Sequence, residues 1–359
     1  MIRDMVPDDL PGIADLHAKV FGEPEGPEGK EGVASFYRDA FLEHPFPDCG
    51  MGSQVVLGPG GAVTGFLGII PRRFRFRDRE LRMAILGRFM FDPGTKDPLA
   101  PIRLVRKVLK GPFDFVWSDG ANRQGMETFT ASRARVVPIL SLNWVRLLNP
   151  LRGLAAMKRW DGSLPGRGFR ILAFPLDLVG SRVLGRAGRR GLEGWETMDV
   201  EGLLESIETA SKPSILKPVY DHRECAWLLR FLERQDRRGR FLALEWQGTD
   251  PVSEAWVLAY LRPNGVLEVL QFGVRRGDPE AAFEALLAKA ADLGAHAVTG
   301  RSDPRFQDLM WRHRAFLKQG SWAVLHTTDP ELELAVQSGR AFLTALEGEL
   351  HLPSAVHGH

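Results

Sequence analysis

The sequence predicts an α/β protein with mixed sheets, built from two similar halves. Short runs in which apolar and polar residues alternate are interspersed with segments of helical period, which is typical of an α/β chain. The same order of strands and helices occurs twice, at a spacing of about 190 residues. A chain of 359 residues is long enough for two domains of roughly 100–200 residues each.

The first half opens with a short strand at residues 2–5 and a helix whose start is marked by Asp8, Asp9 and Pro11. A second helix is predicted over 35–42. Strands follow over 53–57, 62–71, 73–77 and 81–91, separated by turns rich in glycine, proline and aspartate. A helix at 102–109, a strand at 113–117, a helix at 122–134 and an extended run at 136–146 complete this half.

The second half repeats this order. Strands are predicted over 195–198, 240–246, 254–261, 266–274, 297–300 and 321–326, and helices over 200–210, 223–233, 279–293 and 305–316. We therefore expect one domain at 1–146 and another at 195–330. A connector at 147–194 and a C-terminal helix and tail at 331–359 account for the rest.

The charge of the chain is segregated. The formal net charge of +2 is the sum of −7 over residues 1–71, +16 over 72–192 and −7 over 193–359. A block of this charge predicts an anionic substrate, a phosphate-bearing cofactor or an anionic membrane surface, and a solvated basic face is the alternative. Within the connector, basic residues alternate with Leu, Phe and Trp160, a pattern of interfacial segments on anionic lipid. A linker packed on both domains is the alternative reading.

Composition excludes several classes of protein. The chain is 44% hydrophobic and 26% charged, and it has no run of 18 apolar residues, so we expect no membrane-spanning helix. Two cysteines cannot build a disulfide scaffold or a cysteine zinc site, and the nine histidines show no metal-ligand spacing, so no metal is expected. The N-terminus does not resemble a signal peptide. We expect a cytoplasmic protein, with attachment to the inner face of the membrane as an alternative.

Several segments of the first half resemble the GCN5-related N-acetyltransferase superfamily. They are Ile2-Arg3 with residues 8–16, the strands over 62–70 and 82–92, and Asn122 followed by Phe129. The segment 341–349 is similar to tandem members of this group, such as Fem-type acyltransferases. The resemblance implies two tandem folds of this kind and an acyl-CoA or acetyl-CoA co-substrate. It also implies acyl transfer to an amine on an amino sugar, an amino lipid or an amino acid.

The same resemblance suggests where the cofactor binds. In the family, the strand before a splayed strand pair lies along the pantetheine arm, and the loop after it presents N–H groups to the pyrophosphate. The corresponding cofactor-binding residues are Phe89, Met90, Phe91, Lys96 and Arg103. The loop departs from the family pattern, because Asp97 and Leu99 replace glycines, and Pro98 and Pro101 have no N–H to donate.

The catalytic residues also depart from the family. Phe129 stands where the family has a tyrosine that protonates the leaving thiolate, and phenylalanine has no proton to give. We assign catalysis to Asp119 and Asn122 at the end of the strand, with Asp119 as a base or as an anchor for the amine. A turn or helix-capping role for Asp119 is the alternative. Arg88, Tyr220 and His222 are assigned to substrate binding. In the second half, Glu245, Arg275 and Arg276 are weaker candidates.

Three functions remain open at this point. The leading hypothesis is an acyl-CoA-dependent N-acyltransferase acting on a small-molecule, lipid or saccharide amine, for which no nucleic-acid partner is expected. The alternative is a non-catalytic tandem binding module, which the altered loop and Phe129 favour. A Fem-like aminoacyl-tRNA-dependent transferase would instead use the basic middle of the chain for RNA.

Overall fold

The computed structural model describes residues 1–22, 29–95, 97–157, 192–235, 238–248 and 253–349. The chain divides into two compact units. Unit 1 comprises Met1–Ser141, Ser214–Phe231 and the chain from Ser321 onward, and unit 2 comprises Leu142–Pro213 and Leu232–Gly320. Within the described ranges, no helix has both the length and the apolar character needed to cross a membrane.

The helices and strands are numbered in chain order. The first are β1 (Ile2–Asp4), α1 (Leu10–Phe21), α2 (Gly29–Phe41), β2 (Gln54–Leu57), β3 (Val63–Phe76), β4 (Arg79–Phe91), α3 (Ala100–Leu109), β5 (Phe115–Ala121), α4 (Arg123–Ala131) and β6 (Arg135–Val136). Next come β7 (Leu142–Leu147), α5 (Pro150–Met157), β8 (Trp195–Thr197), α6 (Val200–Ser211), β9 (Leu216–Val219), α7 (His222–Glu233), β10 (Arg240–Gln247), β11 (Glu254–Leu261) and β12 (Val266–Arg276). The last are α8 (Pro279–Asp292), β13 (Ala297–Arg301), α9 (Gln307–Arg312), β14 (Phe316–Gln319), β15 (Trp322–Thr327) and α10 (Pro330–Gln337).

Most predicted elements are present, with three differences. The predicted strands 62–71 and 73–77 are one continuous strand, β3, whose residues 65–72 are all buried, so Pro71 does not interrupt it. The predicted helix at 305–316 is wrong in its second part, where β14 begins at Phe316. Strand β9 was not predicted, because its four residues include Pro218 and carry little strand signal.

In its described part, unit 1 is built on an eight-stranded sheet ordered β1-β2-β3-β4-β5-β15-β6, with β9 paired to the far end of β3. Strands β3 and β4 form a long antiparallel hairpin. Strands β4 and β5 are parallel, and they pair only from Met83–Phe115 to Ile85–Trp117. Beyond that point the two strands no longer pair with each other, which leaves a gap between them.

Both faces of this sheet are covered. On one face, α3 and α4 pack their apolar sides on the strands, with Leu104, Val105 and Phe129 buried against Leu86 and Val116. On the other face, α2 places the fully buried Tyr37 edge-on to Phe66 of β3, with ring centroids 5.2 Å apart. The gap between β4 and β5 therefore lies in a sheet with an apolar layer on each face.

Unit 2 has its own sheet, ordered β14-β7-β13-β12-β11-β10-β8 in the described ranges. Strands β12 and β13 are parallel over Val266–Ala297 to Val269–Gly300. Helix α8 buries Phe283, Leu286 and Leu287 in the core of this unit. The sheet is thus a second mixed sheet with one short parallel pair.

Two strands belong to sheets other than those the sequence order indicates. Strand β7 follows the first-half elements along the chain but pairs with β13 and β14 in unit 2. Strand β15 follows the second-half elements but pairs with β5 and β6 in unit 1. The compact units therefore divide the chain differently from the expected domains 1–146 and 195–330, because residue pattern identifies a strand and does not identify its partner. Residues 158–191, most of the connector expected at 147–194, lie outside the described residues.

Candidate functional site

A β-bulge in β4 marks the point where β4 leaves β5. On the neighbouring strand, Phe66 pairs with Met90 and Gly68 pairs with Gly87, so β4 holds an extra residue between them. Within this bulge, Arg88 has a φ of 56°, in the left-handed region that few residues other than glycine adopt. The guanidinium of Arg88 lies 5.2 Å from the centre of the Phe36 ring of α2. Bulges of this kind commonly redirect a side chain next to a functional site.

Asp119 lies two residues past the last β4–β5 pair and is fully buried. Its Oδ1 accepts a hydrogen bond from the backbone N–H of Glu349, at 2.6 Å. The Ser321 hydroxyl donates to the carbonyl oxygen of Asp119, also at 2.6 Å. The segment that follows α10 is therefore bound to the end of β5 through Asp119.

Glu349 brings a second carboxylate to this point. Its Oε1 accepts a hydrogen bond from the hydroxyl of Ser118, at 3.1 Å. Ser118 directly follows Trp117, the last residue of β5 that pairs with β4. The Glu349 carboxylate thus reaches the start of the gap between β4 and β5.

The surroundings of Glu349 change its acidity. Burial, followed by the negative charge of Asp119, raises the pKa of Glu349 to about 7. The charge of Arg88 and the Ser118 hydrogen bond act in the opposite direction and are outweighed. A carboxyl group with this pKa exchanges a proton at neutral pH, which is a property of acid–base catalysts.

Two glycines allow the carboxylates to approach this closely. A Cβ atom on Gly348 would overlap the carboxylate of Asp119. A Cβ atom on Gly120 would overlap the carboxylate of Glu349. The Asp119 carboxylate is thus packed against Gly348, the residue before Glu349, and the Glu349 carboxylate is packed against Gly120, the residue after Asp119.

The same C-terminal segment holds Tyr220. The Tyr220 hydroxyl donates to Oε1 of the fully buried Glu347, at 3.2 Å. Oε2 of Glu347 accepts from the backbone N–H of Thr344 at 2.9 Å and from the Thr344 hydroxyl at 2.5 Å. The predicted substrate-binding residue Tyr220 therefore belongs to the site through Glu347.

Asn122 and His222 have other positions. The side chain of Asn122 caps α4, accepting from the N–H of Gly125 at 2.8 Å, and the residue is exposed. The capping role considered for Asp119 thus falls to Asn122, and Asp119 lies in the strand. His222 is exposed at the start of α7. Among the predicted residues, the structure brings Asp119 and Arg88 together around Glu349, a residue that the sequence analysis did not single out.

The three residues predicted to lie along a cofactor arm are divided between the two faces of the sheet. Phe89 packs on Phe129 of α4, with ring centroids 5.6 Å apart, and Phe91 packs on Phe89 at the same distance. Met90 is buried, and its sulfur accepts from the hydroxyl of Tyr37 at 3.5 Å. Phe129 itself is buried, so the position at which the resemblance implies a hydroxyl is part of the apolar core.

The loop after β4 does not fit a pyrophosphate. The N–H groups of Gly94 and Thr95 donate to Asp92, and those of Leu99 and Ala100 donate to Asp97. Arg103, predicted to bind the cofactor, forms an ion pair with Asp97. Lys96 lies outside the described residues. Because its backbone donors serve its own aspartates, this loop is a poor cradle for phosphate.

The charged candidates of unit 2 are engaged within that unit. Arg275 donates to Glu245 at 2.8 Å and to Ser206 at 2.8 Å, and Arg276 pairs with Glu254. The N-terminus of α8 is capped by Asp278, which accepts from the backbone N–H groups of Glu280 and Ala281. These contacts give the predicted anion-binding residues of the second half structural roles.

Comparisons with known proteins place the fold. No family model and no curated protein matches the chain. A protein of Enterococcus faecalis V583 described as a "Probable N-Acyltransferase" superposes with a TM-score of 0.58 at 12% identity, over 91% of this chain and 72% of that one. GCN5-related N-acetyltransferases of Kribbella flavida and Anabaena variabilis each give a TM-score of 0.55. Their identities are 15% and 10%, over 92% of this chain and 71% and 73% of theirs. The chain therefore has the fold of the GCN5-related N-acetyltransferases.

Proposed function

We propose that unit 1 transfers an acyl group from a thioester to an amine, with Glu349 and Asp119 as the carboxylate pair that accepts the amine proton. The observation that carries the proposal is the position and acidity of Glu349. Its carboxylate lies at the start of the gap between β4 and β5, and its pKa is raised to about 7. The names of the structural neighbours support acyl transfer as the type of reaction.

An amine attacks a thioester only as the free base, and most amines carry a proton at neutral pH. Glu349 takes that proton first, and burial together with the negative charge of Asp119 strengthens it as a base. The free amine then bonds to the carbonyl carbon. As the C–S bond breaks, the nitrogen loses a second proton to water, and water gives a proton to the leaving thiolate. Water carries this proton because Phe129 has no hydroxyl to offer.

The acyl donor in this proposal is acyl-CoA, acetyl-CoA or another pantetheine thioester. In the described ranges, no strand pairs with β4 past Ile85 on the side facing β5, so an extended pantetheine arm has a strand edge to follow. The loop after β4 offers little to the pyrophosphate, for the reasons given above. We therefore assign recognition of the donor to its thioester end.

A second candidate function is a binding module without catalysis. It is favoured by the buried Phe129 and by the loop whose N–H groups are already bonded. This candidate gives no reason for a carboxyl group of pKa about 7 at the gap, and for that reason we place it second.

Release of free thiol tests the proposal. Purified protein is mixed with acetyl-CoA or a longer acyl-CoA and a panel of amines, and thiol is measured with a chromogenic disulfide. We expect amine-dependent release that falls about 100-fold or more in Glu349→Gln. Glu331→Gln, which changes an exposed glutamate on α10, is the matched control and keeps the full rate. Absence of thiol release with every amine would reject catalysis and favour the binding module.

A further inference from the structure

Arg72 of β3 is a buried cation in unit 1 that makes no side-chain hydrogen bond to any described residue. Only 2% of its surface is exposed. In the described part of the chain, none of its three guanidinium nitrogens has a hydrogen-bond partner. Leaving such a group unsatisfied costs several kcal/mol, so a buried guanidinium is normally paired with an anion.

The carboxylates nearest to Arg72 are already used by other groups. Glu224 accepts from Arg73 at 3.1 Å and from the backbone N–H of Asp221 at 2.9 Å. Glu347 accepts from Thr344 and Tyr220, as described above. Both act on Arg72 through their charge, and neither forms an ion pair with it in the described ranges. The planar edge of the guanidinium therefore remains available.

The surroundings of Arg72 favour a planar monoanion. Its guanidinium carbon lies over the Phe46 ring, 3.4 Å from the ring centre, and a ring stacked in this way does not use the N–H donors at the edge of the guanidinium. That edge matches a carboxylate, which accepts two parallel hydrogen bonds. A doubly charged phosphate would be repelled more strongly by Glu224 and Glu347. The Arg72 guanidinium lies 5.8 Å from the centre of the Tyr220 ring. Tyr220 is partly exposed, so the surroundings of Arg72 reach the protein surface at that residue.

Arg72 and Asp119 lie on strands that are joined through β4. Arg72 pairs with Met83, and Met83 pairs with Phe115, so Arg72 and Phe115 are level with each other in the sheet. Asp119 lies four residues beyond Phe115 along β5, about 13 Å further along the strand. A ligand that contacts both positions must be extended.

We infer that Arg72 binds the carboxylate of the acceptor, and that the acceptor is an amine whose carbon chain carries a carboxylate several bonds away. The inference rests on the proposed function for its amine end. The carboxylate end rests on Arg72 alone.

Calorimetry separates the two ends of the acceptor. Binding of 10-aminodecanoate is compared with binding of decylamine, which has the same chain and no carboxylate, and of glycine, which is too short. We expect 10-aminodecanoate to bind the wild-type protein most tightly. In Arg72→Met we expect it to bind about 100-fold more weakly, as weakly as decylamine. Arg72→Lys keeps the charge and loses the pair of parallel N–H donors, so its affinity is expected to lie between those of the wild-type protein and Arg72→Met. Arg75→Met, an exposed arginine of the same strand, is the control.

Thermal unfolding distinguishes a loss of binding from a loss of folding in Arg72→Met. Arg72→Met loses the stacking on Phe46 but no hydrogen bond within the described residues, so it is expected to unfold cooperatively, and binding is compared below the melting temperature of both proteins. Equal binding of 10-aminodecanoate and decylamine, or unchanged binding in Arg72→Met, would overturn the inference. Carboxylate binding that depends on Arg72, without thiol release from any acyl donor, would keep this site and reject the proposed function. Thiol release with no preference for a carboxylate would do the reverse.

Discussion

The backbone N–H of Glu349 donates to the buried carboxylate of Asp119, and the hydroxyl of the neighbouring Ser118 donates to the Glu349 carboxylate. Residues 230 positions apart in the sequence thus form one polar cluster at the gap between β4 and β5. Because the Glu349 side chain is buried and is held beside the negative charge of Asp119, its pKa is raised to about 7. The acidity of Glu349 is therefore a consequence of where the C-terminal segment lies.

Adding a methyl group at Gly348 is expected to separate the two carboxylates. The new Cβ in Gly348→Ala overlaps the carboxylate of Asp119, so the segment must move away from β5. We expect a lower melting temperature and at least a tenfold loss of thiol release. Gly52→Ala, where the nearest atom to the new Cβ is 3.9 Å away, is the control and should change neither quantity. Wild-type activity in Gly348→Ala would show that the contact is not needed.

Removal of the Glu349 charge is expected to stabilise the protein only at higher pH. The pKa of Glu349 is raised on folding from an ordinary value of 4.5 to about 7, so the folded state binds the extra proton. Its contribution to stability is therefore present below pH 4.5 and declines as the pH rises toward 7. Glu349→Gln should melt close to the wild-type protein at pH 4.5 and above it at pH 8. A difference that does not grow with pH would contradict the raised pKa.

Asn122 is expected to matter for stability rather than for chemistry. Its side chain caps α4, and loss of such a cap costs about 1 kcal/mol of unfolding free energy. Asn122→Ala should lower the denaturation midpoint and leave thiol release per folded molecule unchanged. Asn122→Asp, which keeps a capping oxygen, should restore the midpoint. A large loss of activity in both variants would return Asn122 to the catalytic role that its sequence position suggested.

The adenosine end of the donor is expected to add little to recognition. The loop after β4 has used the N–H groups of Gly94, Thr95, Leu99 and Ala100 within itself, and Arg103 is paired with Asp97. The value of kcat/KM for acetyl-pantetheine should therefore lie within about tenfold of that for acetyl-CoA. A preference for acetyl-CoA of a thousandfold or more would show that phosphate groups are recognised elsewhere.

The local elements were predictable because each depends on nearby residues. The alternation of β3, the apolar faces of α1 and α3, and the strand and helix around Asp119 all follow from the period of apolar residues. Partnership between strands was not predictable in the same way. From their positions in the sequence, β7 and β15 are predicted to be the last strands of the first and the second half. In the structure β7 pairs in the sheet of unit 2 and β15 pairs in the sheet of unit 1.

The candidate site was found in part. Asp119 was identified because it lies at the end of a predicted strand, and Tyr220 because it precedes a helix among polar residues. Glu349 was missed because its role comes from a contact across 230 residues. The available signal was local: two glutamates, Glu347 and Glu349, flank a glycine in the segment that follows α10. Arg72 was not singled out because the sequence does not show that it is buried without a hydrogen-bond partner among the described residues. In the sequence it is one of several arginines in a basic strand.

The pH dependence of kcat/KM for amine-dependent thiol release tests the central claim most directly. With an amine acceptor that titrates well above the range examined, the wild-type profile should rise with unit slope to a bend near pH 7 that belongs to Glu349. In Glu349→Gln the rate should be about 100-fold lower and the bend near pH 7 should disappear. If the bend near pH 7 stays in Glu349→Gln, whatever the size of its rate, the assignment of Glu349 as the proton acceptor is contradicted.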